Sequence, residues 1–183
     1  MATVYVNDKP VDIGDARLNA IEAAQRGGVT IPSYCWHPSL TVVASCRMCL
    51  VEIGEKKDDG SVAIVPKVVP GCQTPVKHNS VIVTSEYGEL KPGETAPTPL
   101  NYPTNYGKPG ERARKSQADT LEGILINHPL DCPVCDKAGE CKLQDFSYEY
   151  GRAESRMIDE KNTPPNKPEI SSKITLFTDR CIM

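Results

Sequence analysis

The reactive side chains of this chain are its eight cysteines and a histidine set just ahead of three of them. Cys35, Cys46, Cys49 and Cys72 follow the spacing C-x10-C-x2-C-x22-C. Four thiolates match one two-iron, two-sulfide cluster, with two soft anionic ligands on each iron and a tight loop turning its N-H groups towards the sulfurs. Ala44-Ser45-Cys46-Arg47-Met48-Cys49 is small enough to wrap closely. His128, Cys132, Cys135 and Cys141 form H-x3-C-x2-C-x5-C. Three cysteines need a fourth donor to complete a four-iron cluster, and the imidazole supplies it. A neutral imidazole in place of a thiolate makes such a cluster less negative and raises its potential. Pro129 and Pro133 keep this loop out of helix. Cys181 is left over, in Asp179-Arg180-Cys181-Ile182-Met183, as a candidate ligand of a truncated third cluster whose C-x2-C partner would follow Met183. No residue is singled out as catalytic.

Plainer readings stand beside these. C-x2-C pairs such as Cys46/Cys49 and Cys132/Cys135 also occur in structural zinc sites, which would make the chain a zinc-stabilised binding module. The two pairs are too far apart for one zinc ribbon, and each has two further donors of its own. His128 could instead sit at a helix end and interact with its dipole. Cys181 could be a free thiol. His37 and His78 have no donor-deficient cysteine set and are read as surface or hydrogen-bonded residues. Trp36 either shields the first cluster or packs in the core, and Arg47 is either a charge partner or simply exposed.

The elements that carry these residues form an α+β chain. Thr3–Val6 and Val11–Ile13 flank the turn Asn7-Asp8-Lys9-Pro10 and predict a hairpin. A helix follows, with Asp15 as N-cap, Leu18, Ile21 and Ala24 on one face, and Gly27-Gly28 as the stop. Strands are expected at Cys49–Ile53, Ala63–Val69 and Val81–Thr84, broken by the charged turn Glu55–Gly60. A sheet crossed by one helix is the β-grasp pattern, so residues 1–85 are expected to be a β-grasp, ferredoxin-like domain holding the 2Fe-2S cluster. Residues 86–112, with five prolines and four glycines, read as a loop. Residues 113–155 are expected to be a small helical 4Fe-4S domain: a helix over Ala113–Asn127 with Ala118, Leu121, Ile124 and Leu125 on one face, then a second over Glu140–Tyr150 ending at Gly151. Residues 156–183 read as a linker, interrupted by Thr163-Pro164-Pro165 and Pro168, then a short strand-like run Ile174–Phe177 and the start of the third cluster-binding module.

Composition limits the alternatives. Hydrophobic residues make up 39% of the 183, which allows a core, whereas 5% aromatics and 16 prolines argue against a large ring-filled one. A net charge of -3 and no Lys/Arg run longer than two lack the footprint of nucleic-acid binding. No stretch is apolar for long enough to span a bilayer, and the N-terminus lacks a secretion signal. Eight cysteines without an export signal point to reduced thiols rather than disulfides.

Three segments carry a resemblance to a known family. Tyr34-Cys35-Trp36-His37-Pro38, Ser45-Cys46-Arg47-Met48-Cys49-Leu50-Val51-Glu52 and the run from Leu125-Ile126-Asn127-His128-Pro129 to Gly139-Glu140-Cys141 resemble the N-terminal region of the large iron-sulfur subunit of NADH-quinone oxidoreductase, respiratory complex I. Similar modules occur in soluble NAD-linked hydrogenases and formate dehydrogenases. The long first gap, unlike that of simple plant-type ferredoxins, fits this wider group. The resemblance implies one 2Fe-2S and one 4Fe-4S cluster here and a further 4Fe-4S cluster in the full-length protein. It implies partners in a flavin-bearing, NADH-oxidising subunit and the other peripheral-arm subunits. It also implies a peripheral position on the cytoplasmic side of the bacterial inner membrane, electron flow towards quinone, and a long molybdopterin-type domain beyond Met183.

Overall fold

A computed structural model describes residues 2–163 and 168–182, so the expected interruption at Pro164-Pro165 and the end of the chain at Met183 lie outside the described residues. Among the described residues the chain is α+β: a six-stranded mixed sheet, a two-stranded sheet and three α-helices. By internal contacts it divides into two compact units, Met1–Gln117 and Ala118–Met183.

The first unit opens with the expected hairpin, β1 (Ala2–Val6) and β2 (Lys9–Gly14). Asn7 and Asp8 join the strands at φ 48° and 68°, the left-handed conformations of a two-residue hairpin turn that Asn and Asp tolerate. The sheet is completed by β3 (Leu50–Lys56), β4 (Val62–Ile64), β5 (Val69–Pro70) and β6 (Ser80–Val83). The strand order is β2-β1-β6-β3-β4, with β5 paired to β3; β1 and β6 run parallel and the other pairs antiparallel. The single strand expected over Ala63–Val69 is thus two, with Pro66, which has no N-H for a ladder, in the break.

Helix α1 (Ala20–Arg26) covers one face of the sheet. Its Ala20, Ile21, Ala23 and Ala24 bury with Val4, Val6, Val11, Ile13, Val51 and Ile82. The N-cap is Asn19, not Asp15. The Asn19 side chain accepts from the Glu22 N-H at 3.0 Å and the Glu22 carboxylate accepts from the Asn19 N-H at 2.8 Å, a capping box. The helix starts late because Leu18 and Asn19 run extended against Pro75-Val76: the Leu18 carbonyl accepts from the Val76 N-H at 3.0 Å. The expected stop holds. Gly28, at φ 76°, donates to the Gln25 carbonyl and Val29 to that of Ala24, the paired bonds of a Schellman ending.

The Pro/Gly-rich stretch 86–112 has no regular element before Glu111, but it is fastened to the other face of the sheet. Tyr87, Leu100 and Tyr102 pack on Val62, Val81 and Val83, so β6 is buried on both sides. Low aromatic content therefore does not exclude a ring layer. Tyr102 stacks on Tyr106 with centroids 5.3 Å apart and meets Tyr87 edge-on. The hydroxyls of Tyr87 and Tyr102 both donate to Asp8, which is 4% exposed.

Helix α2 (Glu111–Leu125) begins on β3. Glu52, fully buried, accepts from the backbone N-H groups of Arg112 and Ala113 at 3.0 and 3.2 Å, from Arg112 Nη2 at 3.3 Å and from the Tyr106 hydroxyl. A carboxylate there satisfies N-H groups that a helix start leaves orphaned and complements its dipole. The buried stripe is Ala113, Gln117 and Leu121, at i, i+4 and i+8; of the expected face, only Leu121 is fully buried. Gly110, at φ 81°, precedes the helix where an added Cβ would lie 2.4 Å from the Thr84 carbonyl oxygen.

In the second unit, helix α3 (Lys142–Tyr150) ends at Gly151 as expected and starts after Cys141, whose thiol makes no capping bond. A small hairpin of β7 (Glu169–Ser171) and β8 (Ile174–Thr175) follows. The strand expected to reach Phe177 stops two residues short, because Phe177 leads into a 3-10 turn over Thr178–Arg180.

Candidate metal centres

Pairing of β3 with β5 brings two distant cysteines side by side. Cys49 immediately precedes β3 and Cys72 lies just beyond β5, separated from it by Gly71; Leu50 pairs with Pro70 and Val51 with Val69, and the Gly71 N-H donates to the Cys49 carbonyl at 2.8 Å. Both cysteines are 1% exposed. Cys35 and Cys46 are half-buried and bound a loop without regular structure. The Cys46 N-H lies 3.5 Å from Cys35 Sγ. Ala44 and Arg47 adopt φ 55° and 58°, a left-handed conformation that costs non-glycine residues energy.

The electrostatics fit a cationic metal core. Burial pushes the Cys35 thiol up, but the N-H groups of Cys46 and Ser45 outweigh it and hold the group below its ordinary value. For Cys46 burial wins and the thiol is raised, against N-H groups of Cys35, Tyr34 and Met48. Cys72 is pushed up to about 12 by burial, by its hydrogen bond with Cys49, and by the negative charge of Cys49, Cys35 and Cys46. Ionising all the thiols together would set like charges side by side, a penalty that a bound metal cation would reverse.

The second set lies between α2 and α3 in sequence. Cys132 opens a 3-10 turn over Cys132–Val134, with Pro133 in its first positions, and the Cys135 N-H closes it on the Cys132 carbonyl at 3.3 Å. Gly139, at φ 82°, turns the chain before Cys141. Cys132 is exposed, and Cys135 and Cys141 are half-buried. His128 Nδ1 is buried with no hydrogen-bond partner. Burial, then the nearby Lys161, pull its pKa below the ordinary value, which favours the neutral, metal-binding form. A buried, unpaired ring nitrogen just ahead of three thiols suits a metal ligand. Among the described residues no three His, Cys, Asp or Glu side chains converge closely enough to hold one metal ion. A cluster spreads its ligands over several irons and bridging sulfides, so it does not require three donors around one ion.

Some side chains near the second set had no clear signal in the sequence. Lys161 donates to the Leu125 and Ile126 carbonyls at 2.8 and 3.1 Å, where α2 ends before His128. Arg180, beside Cys181, donates to Asp131, beside Cys132. Cys181 itself is exposed. His37 and His78 are hydrogen-bonded, their Nδ1 atoms accepting from the Ser39 and Thr3 N-H groups. Trp36 packs against the core that α1 shares with the sheet, and Arg47 is exposed.

Family models match both sets. Residues 1–87 match the 2Fe-2S iron-sulfur cluster binding domain, and residues 117–156 the NADH-ubiquinone oxidoreductase-G iron-sulfur binding region. The chain is 34% identical over 98% of its length to a mitochondrial NADH-ubiquinone oxidoreductase 78 kDa subunit from Candida albicans, and 32% identical over its whole length to an NADH-quinone oxidoreductase subunit of Mycobacterium tuberculosis. The chain is a homologue of a segment of the large iron-sulfur subunit of NADH-quinone oxidoreductase. A 75 kDa subunit from Reclinomonas americana is 33% identical over the full chain. This homologue of the large iron-sulfur subunit spans about one fifth of those relatives, covering 20%, 19% and 21% of their lengths. A crystal structure of an NAD+-reducing [NiFe]-hydrogenase in the H2-reduced state shares the fold: TM-score 0.61, 20% identity, all of this chain and 62% of that one.

Proposed function

We propose that the chain is an electron relay of an NADH-quinone oxidoreductase, passing electrons between iron-sulfur clusters without making or breaking a substrate bond. The observation that carries this reading is the occurrence of two separate four-donor sets, one in each compact unit, within segments matched to iron-sulfur families. Cys35, Cys46, Cys49 and Cys72 hold a 2Fe-2S cluster in a β-grasp, ferredoxin-like domain over 1–85. The mixed sheet, with its parallel β1-β6 pair and one helix across one face, supports that domain. His128, Cys132, Cys135 and Cys141 hold a 4Fe-4S cluster in a small helical domain over 113–155, after the loop 86–112. Cys181 opens a third cluster-binding module in 156–183, completed in the full-length protein by a further 4Fe-4S cluster.

The clusters supply one-electron storage when bound. The protein's own groups orient them: N-H groups from Ser45 and Cys46 stabilise anionic sulfur, and Trp36 and the α1 core limit water on one side. Electrons arrive from NADH through a flavin-bearing partner subunit and leave towards quinone through other peripheral-arm subunits. The relay works from a peripheral position on the cytoplasmic side of a bacterial inner membrane; among the described residues no helix is long and apolar enough to cross it. The hydrogenase likeness reflects a shared fold, and a homologous module in such a soluble enzyme is the second reading.

Elemental analysis tests the proposal. The chain prepared anaerobically is expected to be brown and to contain about six irons, two in the first site and four in the second, with matching acid-labile sulfide. Tightly bound zinc without iron or sulfide would reject it in favour of a structural binding module.

A further inference from the structure

Arg180 carries a positive charge held on two sides. Its Nη2 and Nε donate to Asp131 Oδ2 at 3.0 and 3.3 Å, its guanidinium carbon lies 4.2 Å from the centroid of the Phe177 ring, and its side chain is 15% exposed. Asp131 immediately precedes Cys132, and its carbonyl accepts the Val134 N-H at 2.9 Å inside the turn that carries the two cysteines. The Cys135 thiol lies within the electrostatic reach of the same guanidinium. A surface lysine would be mobile and screened; this cation is oriented by a carboxylate and an aromatic face and is largely withdrawn from water.

We propose that Arg180, paired with Asp131, sets the reduction potential of the cluster held by the His128, Cys132, Cys135 and Cys141 motif. The inference rests on the electron-relay reading and deepens it. Arg180 is a positioning residue that acts through charge and not as a ligand. Reduction adds one electron to the cluster from an external reductant, with no bond made or broken and no proton required. The added negative charge is favoured by a fixed cation and disfavoured by a fixed anion, and both effects are strengthened where the dielectric is low. The two partners therefore act with opposite sign.

The test is a redox titration of the full chain carrying its clusters, followed by electron paramagnetic resonance, in wild type, R180Q, R180K and D131N. R180Q is expected to lower the reduction equilibrium constant of the second cluster about tenfold, equivalent to about 59 mV for one electron. D131N is expected to raise it by a similar factor, because Asn keeps the acceptor and loses the charge. R180K, which keeps the charge but loses the two-nitrogen grip on Asp131 and the stack on Phe177, is expected to fall between wild type and R180Q, and the first cluster to stay unmoved throughout. A purely structural role would disturb the cluster in the same direction in R180Q and D131N, and that result, or no shift in either, overturns the proposal. If R180Q loses the cluster, D131N decides: a raised potential supports the inference and an unmoved or lowered one overturns it. A wild-type chain with no iron in the second site contradicts the relay reading itself.

Discussion

At the scale of single residues, the second set turns on His128. Its Nδ1 is buried and unpaired and its pKa is lowered, so the ring offers a neutral nitrogen where a protonated one would be repelled. Replacing it with alanine is expected to leave a three-iron or unstable second cluster, with the first cluster's spectrum unchanged. Replacing it with cysteine is expected to keep four irons at a lower potential, because the added thiolate makes the cluster more negative. An unaltered spectrum in the alanine variant would remove His128 from the ligand set. The cysteines and this histidine stand out in the sequence as candidates, because a metal ligand has to be one of a few residue types and a ligand motif has short, regular intervals. Arg180 and Lys161 do not, because a charge placed by tertiary folding needs no fixed interval from the loop it faces.

At the scale of elements, Glu52 ties the start of α2 to the strand that follows Cys49. It is fully buried and serves two helix N-H groups, a guanidinium and a tyrosine hydroxyl. Glu52→Ala leaves those donors unpaired and is expected to destabilise the first unit by roughly 3 kcal/mol in denaturant unfolding. A loss below about 0.5 kcal/mol would mean that water or another acceptor replaces the carboxylate. Asn19→Ala removes one half of the capping box of α1, and its expected cost is about 1 kcal/mol in the same assay. The second half of α2 carries a pH-dependent contact. Arg156, at 2.7 Å, and Arg152 hold the Glu122 carboxyl down at about 2, below its ordinary value of 4.5. A folded-state pKa below the unfolded one stabilises at pH above 4.5, and the gain is lost as pH falls towards about 2. Amide exchange in α2 is therefore expected to be slower in wild type than in E122Q near neutrality, with the difference vanishing in acid. A difference that persists unchanged at low pH would contradict the ion-pair origin.

The fate of particular elements explains how far the sequence could be read. The first hairpin was legible because Asn7 and Asp8 demand a turn and the flanking residues alternate. The ends of α1 and α3 were legible because glycine marks a stop by local chemistry. The start of α1 was not: Asp15 has the right side chain for a cap, but the extended pairing of Leu18 and Asn19 with Pro75-Val76 delays the helix to Ala20. The split between β4 and β5 and the docking of the Pro/Gly-rich stretch on Val81 and Val83 are likewise tertiary outcomes. That second case had a faint signal: Val81-Ile82-Val83 is apolar without alternation, as expected of a strand covered on both faces.

At the scale of the whole molecule, one of the two four-donor sets falls in each compact unit, so the proposed relay requires two clusters that can be lost separately. The most direct measurement is the paramagnetic resonance spectrum of the reduced holo-chain in wild type, Cys72→Ser and Cys141→Ser. Two signals are expected in wild type, with only the two-iron signal lost in the first variant and only the four-iron signal disturbed in the second. A single signal abolished by either substitution, or no iron signal at all, would contradict a relay with two independent stations.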